Sequence, residues 1–374
     1  GIDQEKSILI IAPNMKTNKL RETLFIIKTN EKIAIWEGHK YTIAEARETS
    51  GIENIYWIDD FTLILREIMS ITNDVFLNRN EYSKFFPEVE DRNQRLGNEL
   101  KKEFPLHRYH RSAPLLTKLR LIKSNYEIDL IRQSCNITNK AFKRVLATTK
   151  PGCYEFDIEA EISHEFIINR ANGHGYSPII ASGKNSCVLH YVENDMECKD
   201  GDLLLFDFGA EYANYSTDMS RTIPVNGKFT TRQKDCYNAV LKVLRKAILL
   251  YIPGNTINII NKKVNLMMEK EMIKLGLFSL EDVKKQDPDS PIYKKYFMHG
   301  TAHFLGLDVH DVGDKEESFK PGMILTCEPG IYIPEENIGI RLENDILITD
   351  GEPINLMSDI PIEIEEIELL MSVK

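Results

Sequence analysis

No apolar run in the 374-residue chain approaches the roughly 20 residues that span a bilayer. The longest runs, such as "ILIIA" and "DLLLF", have the length of buried strands. Cationic excess is missing as well. Lys and Arg number 47 against 57 Asp and Glu, a net charge of −10, whereas broad nucleic-acid binding needs a basic face. The six cysteines (Cys135, Cys153, Cys187, Cys198, Cys236, Cys327) form no CxxC pair and follow no regular spacing. They read as reduced thiols in a cytoplasmic protein. Neither a secretory signal nor a low-complexity tract is visible. The chain opens on Gly1 rather than Met, so its start reads as a cleavage product or an expression boundary. What remains, 42% hydrophobic and 28% charged residues, is the composition of a folded protein large enough for two ordinary domains.

The first third predicts a small α/β domain over 1–112. Residues 7–12, 23–28 and 32–36 are short apolar runs between polar turns and read as strands. Stretches near 59–71 and 91–103 have helical spacing. The segment with His107, His110 and Pro114 lacks a period, and 113–123 is expected to be a linker into a domain over 124–374. That domain opens on Ser124-x-x-Glu127, a capping box ahead of a long amphipathic helix. Pro151-Gly152 stops it, and a second helix is predicted over about 155–170. Strands, two helices near 230–251 and 256–275, and strands over 322–349 complete the pattern. The fold class is α+β.

A faint internal repeat runs through this second domain. "TTKPGCYEFDIEAEI" (148–162) aligns with "LYIPGNTINIINKKV" (250–264), and "GDLLLFDFG" (201–209) with "GMILTCEPG" (322–330). In the latter pair a carboxylate stands six residues after the first Gly, so Asp207 and Glu328 occupy equivalent strand positions. A duplicated helix-helix-sheet unit brings two such carboxylates together at a pseudo-twofold axis.

Further acids surround that pair. Asp218 lies eleven residues beyond Asp207, across "AEYANYS", which reads as a turn folding the chain into a hairpin. Two adjacent carboxylates repel, and a divalent cation is the usual reason for keeping both ionised. Glu343, in "IGIRLENDILI", adds a fourth acid in a strand context, and His303 offers one imidazole. Four carboxylates and one imidazole suit Mn²⁺ or a similar ion better than structural zinc. Two ions sharing bridging carboxylates use five such ligands economically. Each residue also has an ordinary reading. A strand-end carboxylate usually caps a turn, Glu343 and Arg341 can form a cross-strand ion pair, and His303 can be a hydrogen-bonded core histidine. His299 and His303 have zincin spacing, but Gly300 stands where HExxH needs Glu.

At these residues the chain resembles the pita-bread metallopeptidases, the group holding methionine aminopeptidase, prolidase and aminopeptidase P. It is most similar to the aminopeptidase P branch. "VLHYVEND", "FDFGAEYANYSTDMSRTIPVNGKFT", "MHGTAHFLGLDVHDVG", "PGMILTCEPGIYI" and "IGIRLENDILIT" match that branch's successive motifs in order. The resemblance implies a pita-bread (creatinase/aminopeptidase) fold after a smaller N-terminal α/β domain, here without its first strands and helix. It implies that Asp207, Asp218, His303, Glu328 and Glu343 hold two Mn²⁺ ions, with Co²⁺ or Zn²⁺ as alternatives. Asp218 and Glu343 would bridge, Asp207 would serve one ion, and His303 with Glu328 the other.

The implied activity is release of the N-terminal residue from peptides with proline second, by attack of a metal-bridging hydroxide. Glu328 would act as proton shuttle, with His190 and His310 at the substrate. His299, Arg341 and Tyr332 would support the site. Proline-containing peptides are the expected partners, with no nucleic acid and no membrane, and a homo-oligomer (dimer or tetramer) is expected. The alternatives are a prolidase using the same site and a catalytically inactive scaffold. Prolidases of this type carry an arginine between "DVHDVG" and "PGM". Here that stretch is "DKEESFK", acidic and without arginine, which favours the aminopeptidase.

Overall fold

The computed structural model describes residues 1–81 and 88–372. The chain divides into two units, Gly1–Pro114 and Leu115–Lys374.

In the first unit β1 (Ile8–Ile11), β2 (Glu22–Ile26) and, after α1 (Glu31–Glu37) and α2 (Ile43–Ser50), β3 (Asn54–Trp57) form a three-stranded sheet. Then come α3 (Phe61–Met69), β4 (Asp74–Leu77), α4 (Arg92–Glu103) and β5 (Arg108–Arg111), with β4 and β5 paired in parallel. One expected element is wrong. Residues 32–36 are not a strand but lie in α1, because Asn30 caps it by accepting from the Ile33 N–H. The apolar residues of that short run do not form a buried strand face: Ile35 is 80% and Trp36 82% exposed. The stretch read as linker is also ordered, since Ala113–Leu121 forms α5.

The second unit begins with α6 (Asn125–Thr148), closed at its start by the expected capping box between Ser124 and Glu127. It continues through α7 (Glu155–Ile168), β6 (Gly173–His174), β7 (Ile179–Ser182), β8 (Leu203–Asp207), β9 (Ala210–Tyr212), β10 (Tyr215–Ser216) and β11 (Ser220–Pro224). A second series follows: α8 (Thr231–Ile248), α9 (Ile257–Lys274), α10 (Leu280–Lys285), β12 (Ile324–Cys327), β13 (Gly330–Ile333), β14 (Ile338–Arg341), β15 (Asn344–Leu347), β16 (Ile354–Asn355) and α11 (Ile364–Ser372). The sheets run β11-β8-β7 and β12-β15-β16, all pairs antiparallel.

The internal repeat is physical. Gly152 and Gly254, in the two Pro-Gly turns, have φ of 88° and 89°. Gly201 and Gly322, each ahead of its strand, have 85° and 88°. Side chains rarely adopt this left-handed region, so each turn requires its glycine. The halves join edge to edge: the Glu343 N–H donates to the Ser220 carbonyl at 3.1 Å, and the Arg341 N–H to the Thr222 hydroxyl at 3.3 Å. A large apolar cluster draws on α6 to α9, α11 and the strands of both halves. Among the described residues no helix is long and apolar enough to cross a membrane.

Candidate active site

Two hairpins and one loop bring the site together. Asp207 ends β8, and Ala213 and Asn214, both at positive φ, make the two-residue turn between β9 and β10. The chain returns as β11, pairing Ser220 with Asp207 and setting Asp218 beside Asp207. The Tyr176 hydroxyl lies 2.6 Å from Asp207 Oδ1 and 2.5 Å from Asp218 Oδ1. From the other half, Glu328 follows β12 and Glu343 lies between β14 and β15. Residues 298–311, which hold His299, His303 and His310, contain no helix, consistent with Gly300 and Gly306 among them.

One cleft is lined by Leu189, His190, Asp207, Asp218, His299, His303, His310, Glu328, Arg341 and Glu343. Every residue the sequence singled out is there except Tyr332, which lies fully buried behind the wall. The Tyr332 hydroxyl accepts from Arg341 Nη1 at 3.0 Å and donates to His299 Nε2 at 2.8 Å. The other ring nitrogen of His299 faces the Gly300 carbonyl at 2.7 Å, so it carries the proton. Burial and the nearby Arg341 charge push His299 down to about 4, a neutral imidazole held by two hydrogen bonds. Arg341 also donates to Asp207 Oδ2 at 2.5 Å and to the Ser220 hydroxyl at 2.7 Å. Ser220 in turn donates to Glu343 at 2.6 Å.

His303 shows the opposite balance. Its Nδ1 faces the Phe304 carbonyl at 3.0 Å, leaving Nε2 3.2 Å from Asp218 and 3.9 Å from Glu328. Burial opposes its charge, but the Asp218 hydrogen bond and the acids outweigh that and raise it to about 9. Asp218 feels burial too, and the His303 hydrogen bond and charge hold it below its ordinary value. In the other acids burial outweighs the relief that His303 and Arg341 bring. Burial pushes Glu328 up to about 7 and Asp207 up to about 6, and drives Glu343 well above the carboxylate range. A buried cluster that cannot ionise without added positive charge fits a cation. Asp218, His303 and Glu343 each offer a ligand atom within 4.8 Å of the others.

Sequence reasoning missed four contributors. Tyr176 ties Asp207 to Asp218, and Ser220 links Arg341 to Glu343. The Thr326 hydroxyl sits between the His303 N–H (3.1 Å) and Glu328 (3.5 Å). Asp345, fully buried, accepts from the Thr217 hydroxyl at 2.6 Å and the Asp218 N–H at 3.3 Å. Its other oxygen has no hydrogen-bond partner among the described residues, and burial raises the Asp345 carboxyl to about 8. The signal for Asp345 was there: it stands two residues after Glu343 in an apolar strand, hence on the same side.

Residues 129–350 match the model of metallopeptidase family M24, and residues 1–76 that of the aminopeptidase P N-terminal domain. The chain belongs to metallopeptidase family M24. It is 34% identical to the Xaa-Pro aminopeptidase of Haemophilus influenzae, over 100% of this chain and 86% of the relative. Identity to the Escherichia coli Xaa-Pro aminopeptidase is 35%, over 99% and 86%. The solved structure of proline aminopeptidase P II from Yersinia pestis superposes with a TM-score of 0.83 at 32% identity, covering 94% of this chain and 84% of that one. This M24 chain therefore has the pita-bread fold, as its duplicated halves and their shared acidic cleft require.

Proposed function

We propose that this chain is a metal-dependent aminopeptidase that releases the N-terminal residue from peptides with proline in second position. The observation that supports it most is the convergence of Asp207, Asp218, His303, Glu328 and Glu343 on one cleft. These five would hold two divalent ions, Mn²⁺ by preference for an oxygen-rich donor set. Asp218 and Glu343 would be shared, Asp207 would serve one ion, and His303 and Glu328 the other. When bound, such ions supply a water of lowered pKa and a Lewis acid for the scissile carbonyl.

The chain's own groups do the rest. Glu328, whose carboxyl is the most weakly tied of the cluster, takes up the proton of the attacking water and passes it to the leaving nitrogen. The prolyl nitrogen carries no N–H and must be protonated to leave. His190 and His310, on the cleft wall, donate to the developing oxyanion. The His310 ring stands edge-on to His303, centroids 4.2 Å apart, so substrate reaches it beside the ligand imidazole. Arg341, Tyr332 and His299 form one hydrogen-bonded chain that fixes Asp207.

A prolidase must also neutralise its dipeptide's carboxylate. Residues 314–320 ("DKEESFK") offer no arginine for that, and Phe319 among them is buried. The six cysteines are all free thiols, which suits a cytoplasmic, reducing compartment. A dimer or tetramer belongs to the same proposal. Cleavage of Arg-Pro-Pro compared with Ala-Pro, Mn²⁺ supplied, tests the reading. Release of arginine from the tripeptide with little Ala-Pro hydrolysis supports it. Preference for Ala-Pro assigns a prolidase, and no cleavage of either assigns a scaffold.

A further inference from the structure

The loop between β7 and β8 carries His190 into the cleft, and its far end is paired with the start of α7. The Cys198 N–H donates to the Cys153 carbonyl at 2.8 Å, the Gly152 N–H to the Cys198 carbonyl at 2.9 Å, and the Glu155 N–H to the Met196 carbonyl at 3.0 Å. Tyr154 and Glu197 form an antiparallel bridge between them. Cys153 and Cys198 thus stand opposite each other across paired backbones, where antiparallel partners lie about 4.5–5.5 Å apart, inside the roughly 4.4–6.8 Å that a disulfide spans.

We propose that Cys153 and Cys198 are a redox-active dithiol that a peroxide closes to a disulfide. As directly opposed residues of an antiparallel pairing, the two side chains leave the same face of the paired segment. Cys198 is fully buried, while Cys153 is half-buried and reachable. The Cys198 thiol beside it also lowers Cys153 from its ordinary value, which raises its thiolate fraction at neutral pH. The other four cysteines have different surroundings: Cys135 meets the Thr217 hydroxyl at 3.3 Å, Cys327 the Tyr251 hydroxyl, Cys187 the Ser186 side chain and Cys236 the Arg232 charge.

The internal repeat supplies a control. In the second half the Gly254 N–H donates to the Phe319 carbonyl at 3.0 Å, and the Phe319 N–H to the Asn255 carbonyl at 2.8 Å. The same backbone link therefore exists with Asn255 and Phe319 in place of the two cysteines. The fold needs the backbone pairing and does not need thiols, so the thiol pair in the first half calls for another role.

The chemistry balances with a peroxide as oxidant. The Cys153 thiolate attacks one peroxide oxygen; an S–O bond forms, the O–O bond breaks, and the departing hydroxide takes up a proton as water. Cys198 then attacks the Cys153 sulfur. The S–S bond forms, the S–O bond breaks, and hydroxide leaves with the Cys198 proton as a second water. Two electrons pass from the thiols to the peroxide, and a dithiol reductant reverses the change.

The closed disulfide adds a covalent tie at the far end of the His190 loop. That loop is already bound to α7 through Glu155, which accepts from the Ser182 N–H and hydroxyl (both 2.7 Å), the Tyr191 hydroxyl (2.7 Å) and the Met196 N–H (3.0 Å).

The test is exposure of the full-length, metal-loaded protein to a slight excess of hydrogen peroxide, followed by alkylation and peptide mapping. A Cys153–Cys198 cross-link, a mass lower by two hydrogens and recovery of both alkylation sites after dithiothreitol are expected. Cys198→Ser should leave a sulfenic acid at Cys153 that a 1,3-dione captures, whereas Cys153→Ser should leave Cys198 unmodified. Iodoacetamide at pH 7 should label Cys153 roughly ten-fold faster than Cys187, as its larger thiolate fraction demands. If both thiols of the untreated-sequence protein stay alkylatable after peroxide, or if Cys153 links to another cysteine, the dithiol assignment is wrong.

Discussion

His303 Nε2 lies 3.2 Å from Asp218 Oδ2, and the other ring nitrogen of His303 is committed to the Phe304 carbonyl. The free lone pair therefore faces the carboxylates, the orientation a ligand imidazole needs. In the ion-free chain a proton occupies that nitrogen, drawn by Asp218 and Glu328. His299, four residues earlier, has both nitrogens engaged by neutral groups. His303→Ala should lower bound metal from about two ions to about one per chain, whereas His299→Ala should keep both. Elemental analysis of the purified variants decides; equal loss in the two would overturn the division.

Glu328→Gln keeps the size of the side chain and one ligand oxygen but removes its capacity to carry a proton. Turnover of Arg-Pro-Pro should fall by about 10²–10⁴-fold, the usual reach of a general acid–base group. The circular dichroism spectrum should be unchanged. A kcat within a few-fold of the parent would rule out Glu328 as the shuttle.

The raised acids predict how the metal-free protein responds to pH. For Glu328 (about 7), Asp207 (about 6) and Glu343 the folded pKa lies above the unfolded one. The folded state then binds more protons, so stability is fullest below the unfolded value and falls as pH rises through the folded one. His303, raised to about 9, acts in the same direction over a higher range. The Tm of stripped protein should drop between pH 5 and pH 8, and Mn²⁺ should reverse the drop most strongly at pH 8. A Tm that rises over this window would contradict the uncompensated charge cluster.

Glu155 is fully buried, and among the described residues it forms no ion pair. Alanine there leaves the Ser182 and Met196 N–H groups without acceptors and takes the nearer acceptor from the Tyr191 hydroxyl, whose other one, Asp195, lies at 3.3 Å. At about 1–3 kcal/mol for each buried donor left unpaired, with partial rescue by relaxation, a loss near 3 kcal/mol is expected in urea unfolding. Glu155→Gln should cost less. A change under about 1 kcal/mol for the alanine variant would show that water replaces the carboxylate.

Legibility in the sequence followed how local the cause was. Ser124 and Glu127 cap a helix within four residues of one another, and the Ala213-Asn214 turn sets Asp207 beside Asp218 within one hairpin, so both could be read from spacing. The repeat was legible because the same turns require the same glycines, Gly152 with Gly254 and Gly201 with Gly322. Residues 32–36 failed because a short apolar run does not by itself separate strand from helix, and the Asn30 cap starts a helix there. Tyr176, Ser220 and Thr326 stayed hidden because partners of theirs lie on other strands or loops, whereas Asp345 was readable from its place two residues after Glu343. Nothing near Tyr176 in sequence hints that its hydroxyl will sit between two acids. The resemblance of the five acid and histidine motifs to a known family carried what spacing alone left open, the pairing of ligands and the reaction.

The most direct single measurement is a titration of Mn²⁺ into the stripped chain while arginine release from Arg-Pro-Pro is followed. The five-ligand cleft requires no release without metal and a plateau at about two ions per chain, with Arg-Ala-Pro left uncut. Release from the stripped protein, a plateau at one ion, or equal cleavage of Arg-Ala-Pro would contradict a two-ion site specialised for the Xaa-Pro bond.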